Sequence, residues 1–259
     1  MTWATQQRII IISILLLVFG ALAAVTLIAT LHKTPSCTDG IQNQEEAGID
    51  CGSPCAYLCT AQVQAPVTLF TRVLSPVPGR ADVVALITNS NLYAAAKNVH
   101  YTVELYGSDH SLVKTVEGTM DLPPASGVEG GRFLVFIPSA AITTVPVTTA
   151  NLTTDLSSVH WYTLTTDPRI VPDVGSYLLT NEAVAPRISA ILSNPTARPL
   201  TGIKTFVAIY DAANNVLAAS QTIVPSIPPQ GSAQAPFTWN APFAAPITRV
   251  DVVPVIPLP

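Results

Sequence analysis

Two kinds of hydrophobic patterning divide the chain. From Ile9 to Leu31 no residue is charged, and Ser13, Thr26 and Thr30 are the only polar side chains. As a helix rising ~1.5 Å per residue this run spans ~34 Å, enough to cross a ~30 Å hydrocarbon core with some tilt. After Thr60 the period changes to two. Val99, Tyr101, Val103 and Leu105 alternate with His100, Thr102, Glu104 and Tyr106, which predicts a half-buried strand. Gly107-Ser108-Asp109 then turns the chain into Ser111 to Met120, and Asp211 to Asn215 turns it into Val216 to Val224. Strands recur at short intervals between such turns, and no helical period follows the first run. The pattern predicts an all-β region of antiparallel sandwiches behind one transmembrane helix.

The β region repeats at an offset of about 104 residues. Asp82 to Asn89 lies over Arg187 to Asn194, and Val99 to Tyr106 over Ile203 to Tyr210. Leu112-Val113 lies over Val216-Leu217, and Leu122-Pro123-Pro124 over Ile227-Pro228-Pro229. Phe133 and Pro138 lie over Phe237 and Pro242. This register predicts a tandem duplication, two immunoglobulin-like or fibronectin type III-like β-sandwiches of ordinary size at 67–168 and 169–259. The paired prolines fall between strands, where a missing N–H removes no ladder bond. The expected organisation is a cytoplasmic N-terminus (1–8), a membrane helix (9–31), a cysteine-rich module with linker (32–66) and the two sandwiches.

Composition narrows the class. At 11% charged residues the chain is too apolar for a disordered protein, and a net charge of -4 leaves no electrostatic footprint for nucleic acid. The apolar run is longer than the ~7–15 residues of a signal-peptide core and continues beyond Ala21-Leu22-Ala23, so an uncleaved anchor in the lipid bilayer is expected. Thr34-Pro35-Ser36 before Cys37 does not make a lipobox. Arg8 and the amino terminus face His32 and Lys33 across the helix, a narrow preference for a cytoplasmic N-terminus.

The cysteines strengthen that orientation. Cys37, Cys51, Cys55 and Cys59 are all the chain has, clustered just past the anchor. The spacing C-x13-C-x3-C-x3-C suits a four-thiolate zinc site poorly and predicts two disulfides in an oxidising compartment, with three pairings open. The stretch from Cys37-Thr38-Asp39-Gly40 through Gly48-Ile49-Asp50-Cys51-Gly52 resembles the C-x-D-G-x-x-N-x-x-E-x-G-x-D-C-G-G-x-C module of secreted and surface-anchored bacterial proteins, with Ser53 where that pattern has a second glycine. The β strings Asp82 to Asn91 and Val99 to Tyr106, with Leu122-Pro123-Pro124, likewise resemble Ig-like domains of bacterial single-pass surface proteins. The resemblance implies an extracytoplasmic setting at the plasma membrane and no particular reaction. Asp39, Asn43, Glu45 and Asp50 are a candidate calcium set, since that ion takes six to eight oxygens; turn formation is the competing reading of the same residues.

Candidate chemistry is sparse. Asp109-His110-Ser111 has the residue types of a hydrolase triad, but three consecutive residues cannot converge on one another. No phosphate loop, H-E-x-x-H or C-x-x-C motif is present. Two binding surfaces are expected instead. The first copy has a longer loop, Ser139 to Ser158, with Thr143, Thr144, Thr148 and Thr149. By parity Phe206 and Tyr210 oppose Ile203, Val207 and Ile209, so they mark an outer sheet face. The expected function is a membrane-anchored interaction or adhesion protein without catalytic activity, its partner a protein or glycan outside the cytoplasm. A structural subunit of a cell-envelope assembly is the alternative, and an extracytoplasmic enzyme a more distant one.

Overall fold

A computed structural model of the chain describes residues 3–31, 36–43, 45–157 and 159–259. His32 and Lys33 of the charge comparison, Thr34 and Pro35 before the first cysteine, Gln44 of the module and Ser158 at the end of the Thr-rich stretch lie outside the described residues. The chain divides into two compact units, Met1–Cys55 and Ala56–Pro259.

The first unit holds one helix, α1 (Trp3–Leu31), and most of the cysteine module. Thr5–Ile28 of α1 is long and apolar enough to cross a membrane, and a signal sequence passes the same test. Its one described mid-helix threonine, Thr26, returns its hydroxyl to the carbonyls of Leu22 and Ala23, so it presents no free donor to an apolar medium.

All the described strands of the second unit pair antiparallel, and one short 3-10 turn lies among them. Its strands are β1 (Tyr57–Leu58), β2 (Val67–Val77), β3 (Arg80–Thr88), β4 (Ala94–Gly107), β5 (Leu112–Leu122), β6 (Arg132–Ile142) and β7 (Val147–Asp155). They continue with β8 (Trp161–Thr163), β9 (Asp173–Thr180), β10 (Arg187–Ser193), β11 (Leu200–Tyr210), β12 (Val216–Ile227), β13 (Ser232–Thr238) and β14 (Arg249–Val255). In the N-terminal half one sheet has the order β2-β3-β6, and the facing sheet runs β1-β8-β4-β5 with β7 also on β4. In the C-terminal half the sheets are β13-β10-β9 and β12-β11-β14. The pairing order thus recurs: β3 lies between β2 and β6 as β10 does between β9 and β13, and β4 between β5 and β7 as β11 does between β12 and β14. β1 and β8 have no counterpart.

The alternation predicted for β4 places Val99, Val103 and Leu105 in the first core with Val83, Ala85, Ile87 and Trp161. The second core gathers Ile188, Leu192, Ile203, Val207, Ile209, Ile227 and Phe237. Both predicted hairpins form. Each needs a residue with positive φ, His110 at 62° and Asn214 at 61°, and each is closed by an aspartate, Asp109 on Ser111 and Asp211 on Asn215.

A buried asparagine fastens the two sheets of each half at one end. Asn89 is fully buried and its amide donates to the carbonyls of Ala94 and Pro123. Asn194 occupies the matching place and donates to the carbonyls of Arg198, Ile227 and Pro228. The repeated Leu-Pro-Pro and Ile-Pro-Pro are therefore carbonyl providers as well as strand terminators. Gly131, at φ +71°, closes the same corner: its carbonyl accepts from the Asn89 N–H, and a Cβ there would collide with the Asn89 carbonyl oxygen.

A third core corrects the reading of the outer face. Phe206 and Tyr210 do point away from Ile203, Val207 and Ile209, but they are only 4% and 2% exposed. They pack with Ala208, Val216 and Ala219 against Val84, Leu134 and Phe136 of the first half. Both faces of β3 and of β11 are covered, which is why these strands read as nearly continuous apolar runs. A second correction concerns the Thr-rich stretch. Most of it is strand rather than loop: β7 pairs along β4, with Thr149 opposite Tyr106 and Leu152 opposite Val103. β-branched threonines suit a strand with one open face, and Val147 and Leu152 supply its buried contacts.

Asn89→Ala is expected to strand two buried carbonyls and lower stability by about 2–6 kcal/mol, at 1–3 kcal/mol for each unsatisfied group. Urea unfolding of the variant beside wild type measures the loss. A change under ~0.5 kcal/mol would mean the corner is not held by this amide.

Candidate interaction surfaces and the junction of the two halves

The cysteine module is shaped by one disulfide and a set of carboxylate caps. Cys37 and Cys55 are bonded across 18 residues, Cys51 and Cys59 are disulfide-bonded as well, and no cysteine is free. Asp50, at φ 54°, accepts from the N–H groups of Asp39 and Gly40. Asp39 in turn accepts from the Ile41 N–H and the Asn43 side-chain amide. Glu46 is buried and accepts from the Asn43 N–H. Of the candidate calcium set, Asp39, Asn43 and Asp50 are thus drawn together by turn hydrogen bonds, while Glu45 is exposed. The buried Glu46 also lies 3.0 Å from Cys55 Sγ. That is a contact and not a hydrogen bond, since a disulfide sulfur carries no proton. Cys37, Glu46 and Cys55 present ligand-type atoms to one another, but the disulfide removes both sulfurs from metal ligation. Gly52 follows Cys51 at φ +83°, with space for no more than its hydrogen: a Cβ would lie 2.5 Å from that of Ala47.

The threonines are dispersed. Thr143 and Thr144 occupy the turn between β6 and β7, where the Thr143 hydroxyl accepts from the Val145 N–H. Thr148 and Thr149 are exposed on β7. Asp109-His110-Ser111 is a turn: Asp109 Oδ1 accepts from both the Ser111 N–H and its hydroxyl. Those bonds hold the Asp109 carboxyl below its usual range.

The most strongly built polar cluster lies where the two halves meet. Arg169, in the segment between β8 and β9, is buried, its side chain 2% exposed. Its guanidinium donates to Asp167 at 2.8 Å, to Glu129 at 2.7 Å and to the carbonyl of Ile256 beyond β14. One side chain therefore joins the β5–β6 connection, the β8–β9 segment and the C-terminal strand's extension. The fork of a guanidinium suits three acceptors in this way, which an ammonium would not match. Burial pushes the Glu129 carboxyl up, outweighing the attraction of Arg169. Burial also raises Asp167, but the Arg169 hydrogen bonds and charge more than offset it, so that carboxyl stays below its ordinary value. Sequence reading missed this cluster because Glu129, Asp167 and Arg169 are unremarkable until the fold brings a distant turn against the linker.

Beside the cluster an open cleft of about 500 Å³ runs between the halves. Leu134 and Val250 form part of its wall, Val128 (75% exposed) and Val174 (43% exposed) its apolar rim, and Arg132 and Asp173 its charged rim. Tyr210 borders it, with the Arg249 guanidinium stacked 3.9 Å from its ring.

No family model and no curated protein matches the chain. Among solved structures it is similar to a red sea bream transglutaminase (14% identity, TM-score 0.25, covering 74% of this chain and 29% of that one). It is also similar to a β-glucuronidase of glycoside hydrolase family 2 (12% identity, TM-score 0.20, covering 81% and 25%). A third is a Parabacteroides merdae β-glucuronidase (12% identity, TM-score 0.17, covering 64% and 24%). The chain spans less than a third of each, and likenesses this weak carry no argument about fold or activity.

Asp167→Asn is expected to leave the buried guanidinium short of charge and to cost about 3 kcal/mol at pH 7. A carboxyl held low in the folded state contributes stability above its unfolded value and loses it as pH falls through its folded value. The gap between variant and wild type should therefore persist down to the ordinary aspartate value of 3.8 and close only below it. Glu129 has the opposite sign: its contribution is present below 4.5 and is lost as pH rises through its folded value. The cost of Glu129→Gln should thus shrink from pH 4 to pH 7. Urea titrations across this range check both slopes.

Proposed function

We propose that the chain is a single-pass membrane protein with its N-terminus in the cytoplasm and its β region outside, working as a non-catalytic interaction or adhesion protein. In this reading α1 is the anchor and the oxidised cysteine module, of the C-x-D-G type, is the stiff exit from the bilayer. Asp39, Asn43 and Asp50 act there as turn formers. The β region is a tandem duplication of an immunoglobulin-like sandwich. Recurrence of the six-strand pairing order, the buried asparagine and the hairpin turn supports duplication.

The observation that carries the reading is the junction. A sealed apolar seam and a buried three-partner arginine fix one sandwich on the other, and the cleft left beside them has an apolar rim with charged flanks. Docked domains present a fixed recognition surface, and a protein loop fits walls of this mixed character. A catalytic centre would need convergent acid, base and nucleophile, and the Asp109-His110-Ser111 group is occupied in making a turn.

A photo-crosslinking residue in place of Val128, with its 75% exposure, tests this on intact cells. The expected product is a crosslink to a protein foreign to the cell that displays the chain. Crosslinks confined to envelope proteins of the same cell would overturn adhesion and select the structural-subunit alternative. Orientation is tested separately: after reduction, a membrane-impermeant thiol reagent should label the cysteines from outside.

A further inference from the structure

The strands that break the pairing symmetry build a second cleft, away from the interdomain junction. β1 and β8 have no equivalents in the C-terminal half. They pair with each other, Tyr57 opposite Tyr162, and β8 continues onto the start of β4. An open cleft of about 630 Å³ lies over this corner, with Tyr57, Lys97, Asn98, His100, His160 and Tyr162 among its walls.

Three properties of this cleft point the same way. First, each of its polar side chains is able to donate a hydrogen bond. An ammonium, two imidazoles, two phenols and an amide line it, and among the described residues no acidic side chain does, in a chain of net charge -4. Two acids that border these residues are already hydrogen-bonded. Asp155, opposite His100 on β7, accepts from the Ser157 N–H and hydroxyl, and Asp121 accepts from the N–H groups of Asn98 and Leu258. Second, donors remain free. Lys97 Nζ gives one of its three protons to the Pro259 carbonyl, and the enclosed Tyr162 hydroxyl has no hydrogen-bond partner. Third, Tyr57 and His160 place their rings 4.9 Å apart, and Tyr57 stays 43% exposed on a strand of only two residues. An aromatic group held open beside a polar cleft offers an apolar face with a wet edge.

We infer that this corner is a binding site for an acidic sugar, a pyranose bearing a carboxylate. The sugar's apolar ring face lies on Tyr57 and His160, its carboxylate meets Lys97 and the His100 N–H, and a ring hydroxyl accepts from Tyr162. The inference is independent of the interdomain cleft, which it leaves to a protein partner.

The test uses the full chain in detergent micelles, titrated with a galacturonic acid trisaccharide and, in parallel, with the neutral galactose trisaccharide. Calorimetry should show the acidic sugar binding at least about tenfold more tightly than the neutral one. Tyr57→Ala and Lys97→Ala should each weaken the acidic sugar about tenfold, and Lys97→Ala should narrow its advantage over the neutral sugar. Both substituted residues are exposed, and unchanged circular dichroism confirms an intact fold in each variant. No binding of the acidic trisaccharide at millimolar concentration would overturn the proposal. So would equal binding of the two sugars, or binding that survives both substitutions. None of these outcomes bears on the Val128 crosslink, so the two proposals fail separately.

Discussion

Burial of both faces of β3 and β11 is the constraint on which the rest of the β region depends. A sandwich strand ordinarily faces one core and one solvent layer. Here β3 sends Val83, Ala85 and Ile87 into one core and Val84 into another, and β11 divides Val207 and Ile209 from Phe206, Ala208 and Tyr210 in the same way. The Phe136 and Phe206 rings meet edge to face at 6.2 Å in the seam. Each large side chain removed from water there stabilises the docked arrangement by about 1.5–3 kcal/mol. The sequence must then keep both halves' outer faces apolar at matching places, and either half alone would expose an aromatic patch.

Docking of this kind determines where polar chemistry can sit. Because its guanidinium is buried, Arg169 has to be fully partnered, and Asp167, Glu129 and the Ile256 carbonyl supply that. What the seam and cores do not consume, and the proposed recognition would use, is the cleft rim around Val128 and Val174 and the corner built by β1 and β8.

Much of this was legible in the residues. Period-two alternation identified β4, the aspartate-rich turns marked both hairpins, and the offset repeat matched strands that occupy matching positions. Parity correctly separated Phe206 and Tyr210 from Ile203, Val207 and Ile209; what covers that side is a contact between segments over a hundred residues apart, which alternation cannot report. The Thr-rich stretch misled for a local reason. Thr148, Thr149, Thr153 and Thr154 look like polar loop residues, yet β-branched threonine fits an exposed strand face, and only the buried Val147 and Leu152 betray the pairing with β4. Tyr57 was hidden in an expected linker, because two residues make a strand only when a partner such as β8 is already in place.

Trp161 lies in the first core and Trp239 against the second, so each reports its own sandwich. With Trp3→Phe as background, single-tryptophan chains, one keeping Trp161 and one keeping Trp239, are unfolded in urea, and within each chain the fluorescence transition is compared with the circular dichroism transition of the whole β region, which tests the docked block directly. A shared seam predicts coincident transitions with the same midpoint and slope, and Phe206→Ala should separate them. Two distinct midpoints in the chain with Phe206 intact would contradict it, since each sandwich would then be standing on its own core.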